Sequence, residues 1–141
     1  MIRELRTDVV VLGGGPAGLA AAQAARGAGA RCLIIEREER LGGILKQCVD
    51  DGFGLVRYGA PRSGPEYAAR EAARARAAGS DELLEAFVTR LARADTGGFE
   101  LDCVSRAGAA RVRAGALVLA TGCRERTDRQ VFIHGDRKSV V

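Results

Sequence analysis

The sequence predicts an α/β fold: a mainly parallel sheet with a small antiparallel β-meander. Three observations predict it. The apolar run Asp8-Val9-Val10-Val11-Leu12 leads directly into a glycine-rich turn and a stretch of small residues with helical character. A second apolar run, Cys32-Leu33-Ile34-Ile35, follows after one helix length, which is the pattern of a βαβ unit. Phe99-Glu100-Leu101-Asp102-Cys103-Val104 then alternates with period two, the sign of a half-buried strand in a hairpin.

The first unit carries the chemistry. Gly13, Gly15 and Gly18 form G-x-G-x-x-G immediately after the strand. In that arrangement the first glycine permits a sharp turn, the second lets the backbone approach a pyrophosphate, and the third lets helix and strand pack closely. Pro16 suits the first helical turn, where a missing N–H costs nothing. The helix N-terminus, with Ala17 inside the loop, turns free N–H groups and a positive dipole end towards an anion. Ala17–Ala28 is small throughout except for Leu19, Gln23 and Arg26, and Gly27 and Gly29 supply the stop. Glu36 closes the second strand 18 residues past Gly18, near the roughly 20-residue spacing of an acid that accepts hydrogen bonds from a ribose. Alone, Glu36 would read as a strand end in solvent. In this register the unit reads as a Rossmann-like dinucleotide-binding βαβ.

After a charged turn at Arg37–Arg40, Gly42 and Gly43 allow a second close approach of backbone to a nucleotide, though the pair also fits a plain loop. Ile44–Pro61 is punctuated by Gly52, Gly54 and Gly59 and reads as mostly irregular. Ser63-Gly64-Pro65-Glu66 is a capping box for a helix running to about Ala78 and stopping at Gly79. Leu83–Leu91 is a strand candidate with some helical character. A turn at Gly108 and Ala110–Arg113 complete the hairpin, and Ala116–Ala120 is a short buried strand ending in Thr121 and Gly122.

The bulk properties narrow the function. A chain of 141 residues suggests one domain with a real core. No apolar run approaches a membrane span, and no signal-peptide pattern precedes the first strand, so cytoplasmic is the default reading. The net charge is +4, but the arginines are scattered among acids without aromatic interleaving, which argues against nucleic-acid binding. Cys32, Cys48, Cys103 and Cys123 show no C-x-x-C spacing, and His134 is the only histidine. Neither a metal site nor a Ser/His or Cys/His catalytic pair is indicated, and any chemistry would belong to a cofactor. Cys32 and Cys103 read as small buried apolar residues.

Ala120-Thr121-Gly122, the meander before it and the pair Glu36-Arg37 resemble the FAD domain of the two-dinucleotide-binding-domain flavoproteins, the pyridine nucleotide-disulfide oxidoreductase superfamily. A narrower resemblance rests on Leu41-Gly42-Gly43-Ile44-Leu45-Lys46-Gln47-Cys48, Gly52-Phe53-Gly54, Gly64-Pro65-Glu66-Tyr67 and Ala120-Thr121-Gly122-Cys123-Arg124-Glu125-Arg126. Over nearly all of residues 7 to 135 the chain is similar to FAD/NAD-dependent oxidoreductases that accompany glycerol-3-phosphate-dehydrogenase-like subunits. It is similar also to flavoprotein subunits of hydrogen cyanide synthase, opine oxidase and sarcosine oxidase. Those relatives carry His-Asn where this chain has Asp50-Asp51, which puts an acid/base role there in doubt.

The resemblance implies FAD as the first ligand. It would place Glu36 on the adenosine ribose and Arg37 beside the adenine. The backbone near Val88 would also touch the adenine, Gly43 would approach the phosphates, and Ala120–Gly122 would lie against the cofactor. It names no catalytic side chain. Disulfide reductases of the superfamily hold a C-x-x-x-x-C pair after the Gly-Gly; Cys48 has no partner at that spacing and reads as a packed cysteine more readily than as a thiol serving the flavin. The implied activity is electron exchange with NAD(P)H or with a dehydrogenase or electron-transfer partner. A non-catalytic dinucleotide-binding module is the alternative.

The relatives continue into an NAD(P)H domain with a second G-x-G-x-x-G, so NAD(P) would belong to sequence beyond this chain, and the 141 residues alone are expected to be inactive. Asp136-Arg137-Lys138-Ser139-Val140-Val141 can be encoded by GAT CGG AAG AGC GTC GTG, the string of a common sequencing adapter followed in frame by a stop. Residues 1–135 are therefore read as the N-terminal part of the FAD-binding domain and 136–141 as a non-native tail. The Gly-x-Arg that relatives carry here would instead make Asp136-Arg137 genuine.

Overall fold

The computed structural model describes residues 2–95 and 97–123. The expected tail at 136–141, Arg124-Glu125-Arg126 and His134 lie outside the described residues.

Strand β1 (Arg3–Leu12) is paired in parallel on both sides. Its C-terminal part lies along β2 (Cys32–Ile35), and its whole length lies along β8 (Gly108–Leu119). Helix α1 (Pro16–Gly27) makes the crossover to β2 and ends where Gly29, at φ 83°, takes the left-handed turn. Helix α3 (Gly64–Ala77) begins with the expected capping box. The Ser63 side chain accepts from the Glu66 N–H, and the Glu66 carboxylate accepts from the Ser63 N–H at 2.9 Å. With β5 (Asp81–Leu83), β6 (Phe87–Arg93) and β7 (Phe99–Ser105), the strand order is β5-β2-β1-β8-β7-β6. The β5-β2-β1-β8 pairings are parallel and the β8-β7-β6 pairings antiparallel, so the predicted α/β class is borne out.

Four readings change. The candidate strand Leu83–Leu91 is two strands on opposite edges of the sheet, separated by Leu84-Glu85-Ala86, with Glu85 at φ 51°. Ala110–Arg113 and Ala116–Ala120 are one strand, β8, which runs on past Gly115. The second half of β8 is not buried: Leu119 is 64% exposed, and among the described residues β7 pairs with β8 only as far as Ala114. Within the stretch read as irregular, a 3₁₀ turn (Gly43–Gln47), β3 (Asp51–Phe53), the four-residue α2 (Leu55–Tyr58) and β4 (Arg62–Ser63) form a small arm with its own two-stranded sheet.

The short link between β5 and β6 dictates the shape. Strands lie about 4.8 Å apart, so a flat sheet would hold the two edge strands roughly 24 Å from each other. Four residues of chain reach about 14 Å at most. The sheet must curl until the meander lies over the parallel strands, and the core shows that it does. Val10, Leu33 and Ile35 from the parallel strands form one buried cluster with Leu101, Cys103 and Val112 from the meander. On the opposite face Val11, Cys32 and Ile34 pack against Leu19 and Ala22 of α1 and Ala72 and Ala75 of α3. The parallel strands are thus apolar on both faces. Burial pushes the Cys32 thiol up and the Cys103 thiol up to about 11, leaving both as inert packing groups.

Two measurements check this account. Leu101 is fully buried only because the sheet curls, so Leu101→Ala should cost about 2–5 kcal/mol in denaturant unfolding; a flat sheet would make the change nearly neutral. Asp8 accepts from the N–H and side chain of Arg31, which holds its carboxyl down to about 2 from 3.8. A depressed carboxyl stabilises the fold above its unfolded pKa and loses that contribution as pH falls through the folded one. The melting temperature should therefore drop between about pH 4 and pH 2, and Asp8→Asn should flatten that part of the profile.

Candidate dinucleotide-binding site

The glycine turn after β1 is held from three sides. The Gly13 N–H donates to the Ile35 carbonyl at 2.9 Å, and the Ala120 N–H donates to the Leu12 carbonyl at 2.9 Å. Gly13 adopts φ 107°, and a Cβ there would stand 2.3 Å from the Ala120 oxygen. A Cβ on Gly18 would stand 1.8 Å from the Gly13 oxygen, so α1 presses directly on the turn. Gly15 differs: its φ of −76° suits any residue, and a Cβ would find only Gly43 Cα, at 3.8 Å, within contact range. Space lies in front of Gly15, and a side chain would project into it.

Helix α1 opens onto that space. Gly15 is its N-cap, no side chain caps the helix, and no acid lies in its first turn. The first-turn N–H groups of a helix have no partner inside it, so these face outward with the positive end of the dipole. Helix α3, with its Ser63 and Glu66 capping box, shows the opposite treatment.

The second glycine pair comes to the same place. The Gly42 N–H donates to the Gly14 carbonyl at 2.7 Å, and Gly43 lies against Gly15. Sequence spacing brought Gly42 and Gly43 near the nucleotide; the structure lays them along the first loop. The loop between is fixed by Lys46, which bonds to the Glu38 carboxylate and donates to the Arg40 carbonyl. The Lys46 ammonium lowers the pKa of Glu38.

Glu36 is 8% exposed and firmly placed. Its Oε2 accepts from the Gly14 N–H at 2.7 Å and its Oε1 from the Glu38 N–H at 2.9 Å. A carboxylate has about four acceptor positions, so two bonds leave capacity for ribose hydroxyls. The Glu36 backbone also receives the chain leaving β5: its N–H donates to the Leu83 carbonyl and its carbonyl accepts from the Ala86 N–H. Those bonds bring β6 beside the exposed Arg37. Arg37, Glu85, Phe87, Val104, Ser105 and Arg106 line an open depression there. The Val88 side chain packs against the core, and its neighbour Phe87 faces the depression.

Ala120 touches the turn through its carbonyl, and Thr121 and Gly122 continue outward, exposed. The structure therefore gathers Gly13, Gly15, Pro16, Ala17, Gly18, Glu36, Gly42, Gly43 and Ala120 around one loop, with Arg37 at one end. Gly14 was missed. It fills an unconstrained position of the motif, yet its N–H orients Glu36 and a Cβ on it would meet Leu41 at 2.4 Å. A glycine where the motif demands none was the available signal. Cys48 is half-buried, its thiol directed at the Ile44 carbonyl at 3.5 Å.

The residues fit a pyrophosphate-linked dinucleotide by shape and charge: the opening at Gly15, the uncapped helix end and an acid fixed behind the loop. No helix among the described residues is long and apolar enough to cross a membrane.

Comparison with known proteins identifies the family. Residues 7–140 match the family model of the pyridine nucleotide-disulphide oxidoreductases. Sarcosine oxidase subunit alpha of Corynebacterium sp. (strain P-1) is 34% identical over 149 residues, covering 98% of this chain and 15% of that protein. Thiamine thiazole synthase of Aeropyrum pernix is 39% identical over 101 residues, 57% of this chain and 37% of that protein. The chain thus spans a minor part of these curated relatives. Among solved structures, thioredoxin reductase of T. acidophilum superposes with a TM-score of 0.74 at 21% identity, over 86% of this chain and 37% of that one. L-Proline dehydrogenase of P. horikoshii gives 0.77 at 22% identity, over 90% and 25%. The fold is shared with both. With nearly its whole length matched, the chain belongs to the pyridine nucleotide-disulphide oxidoreductase family.

Proposed function

We propose that this chain is the FAD-binding portion of a flavin-dependent oxidoreductase that exchanges electrons with NAD(P)H or with a companion subunit. The observation that carries the reading is the opening at Gly15, bounded by an uncapped helix end and Gly43, with the Glu36 carboxylate fixed behind it. FAD, when bound, supplies the hydride-accepting flavin.

The chain's own residues bind and orient. Gly13 and Gly18 shape the turn, and the N–H groups after Pro16 and Ala17 face the pyrophosphate. Gly42 and Gly43 close its other side. Glu36, already oriented by the Gly14 N–H, accepts from the adenosine ribose. Arg37 and the chain at Phe87 and Val88 flank the adenine, and Ala120, Thr121 and Gly122 run beside the cofactor. A companion subunit is supported by the two sarcosine oxidase alpha subunits that match 98% of the chain.

Titrating FAD into flavin-free protein, followed by flavin fluorescence, tests the reading. Saturable binding is expected, and NAD(P)H-driven bleaching of the bound flavin would show electron exchange. Binding of NAD with no affinity for FAD would overturn it in favour of a non-catalytic nucleotide module. Two glycine variants separate site from scaffold. Gly15→Ala should leave unfolding free energy within about 0.5 kcal/mol of the parent while weakening FAD binding by about tenfold or more. Gly18→Ala, which drives a methyl into the Gly13 carbonyl, should lower stability by about 1–3 kcal/mol.

A further inference from the structure

Both tyrosines of the chain, Tyr58 and Tyr67, lie together with ring centroids 5.9 Å apart. Around Tyr58 gather the guanidinium carbons of Arg57, Arg62, Arg70 and Arg74, at 5.8, 5.9, 4.0 and 5.8 Å from the ring centroid. None of these residues belongs to the dinucleotide loop.

Among the described residues one carboxylate forms an ion pair with this cluster. Glu71, its side chain only 3% exposed, accepts from Arg57 Nε at 3.1 Å. Gln23 of α1 organises the rest: its Oε1 accepts from Arg57 Nη2 at 3.3 Å and Arg74 Nε at 3.2 Å, while its Nε2 donates to Glu71 at 2.9 Å. Among the described residues no carboxylate pairs with Arg62, Arg70 or Arg74. Glu66 is engaged by Ser63. Asp51, on the strand paired with Arg62 and Ser63, forms no ion pair with the cluster. Arg62 Nε is buried and has no hydrogen-bond partner among the described residues.

Stacking on an aromatic face accommodates guanidinium groups but does not cancel their mutual repulsion. Cations held this close, with one ion-paired carboxylate among the described residues, are short of negative charge. An oxyanion supplies it, and guanidinium forks match its geometry. Four guanidinium groups lie within 5.9 Å of one ring centroid, a span that a compact ion bridges more readily than an extended polypeptide.

We propose that the arginines around Tyr58 form a second anion site, separate from the dinucleotide loop, that takes a compact multivalent oxyanion of the phosphate class. The chain has no tryptophan, so intrinsic tyrosine fluorescence reports on this site directly. Inorganic phosphate is titrated into flavin-free protein at ionic strength held constant with sodium chloride. A saturable change in tyrosine emission is expected. Its midpoint should rise about tenfold or more in Arg70→Gln/Arg74→Gln, which removes two charged donors, and should be unmoved in Gly15→Ala. Both arginines are exposed, and circular dichroism is the check that the double variant folds; Arg62→Gln gives a second, independent reading of the same loss. The proposal is overturned if chloride produces the same change, or if the arginine variants leave the phosphate midpoint where it was. It is overturned equally if a polyglutamate peptide binds and phosphate does not, which would make the surface one for an acidic polypeptide.

Discussion

Three residues, Leu84-Glu85-Ala86, carry the chain from one edge strand of the sheet to the other, and a flat sheet cannot accommodate so short a step. The curl that results is what gives the molecule two cores instead of one. Leu101, Cys103 and Val112 of the meander become the cover for Val10, Leu33 and Ile35, while α1 and α3 cover the other face. The same step is tied to Glu36 by two backbone hydrogen bonds. The connection that shapes the core therefore also fixes Glu36, the acid of the proposed dinucleotide site, and brings Phe87 beside Arg37.

The site itself is mostly backbone. Glycines at 13 and 18 are required by contact, the glycine at 15 leaves room, and the pair at 42 and 43 is laid along the first loop by a hydrogen bond to Gly14. Such a site offers pre-placed N–H groups rather than charged side chains, which suits a family of flavin-dependent oxidoreductases in which the cofactor performs the chemistry. Glu36 is the one buried carboxylate in it, and its position is settled by the loop it serves.

The parts legible in the sequence were those set by local chemistry. The turn glycines, the small-residue helix, the acid at the strand end and the Ser63 capping box each follow from neighbours within a few residues. What escaped depends on residues far apart. Leu83–Leu91 has the composition of one strand, and only pairing of its two halves with different partners, β2 and β7, divides it. Gly115 looks like a break because glycine weakens strands, yet pairing with β1 on both sides of it carries β8 through. The arginines at 57, 62, 70 and 74 read as scattered surface charge until α2 folds back and sets Tyr58 among them.

The second half of β8 has a consequence for the glycine turn. From Ala116 to Leu119 one side of the strand hydrogen-bonds to β1, and the other has no strand partner among the described residues, with Leu119 exposed. An edge of this kind is a template for any extended segment that meets it. It runs straight into Ala120, whose carbonyl forms part of the glycine turn. The run of β8 past Ala114 thus leads directly to the glycine turn, so any segment that covered this edge would lie next to the turn.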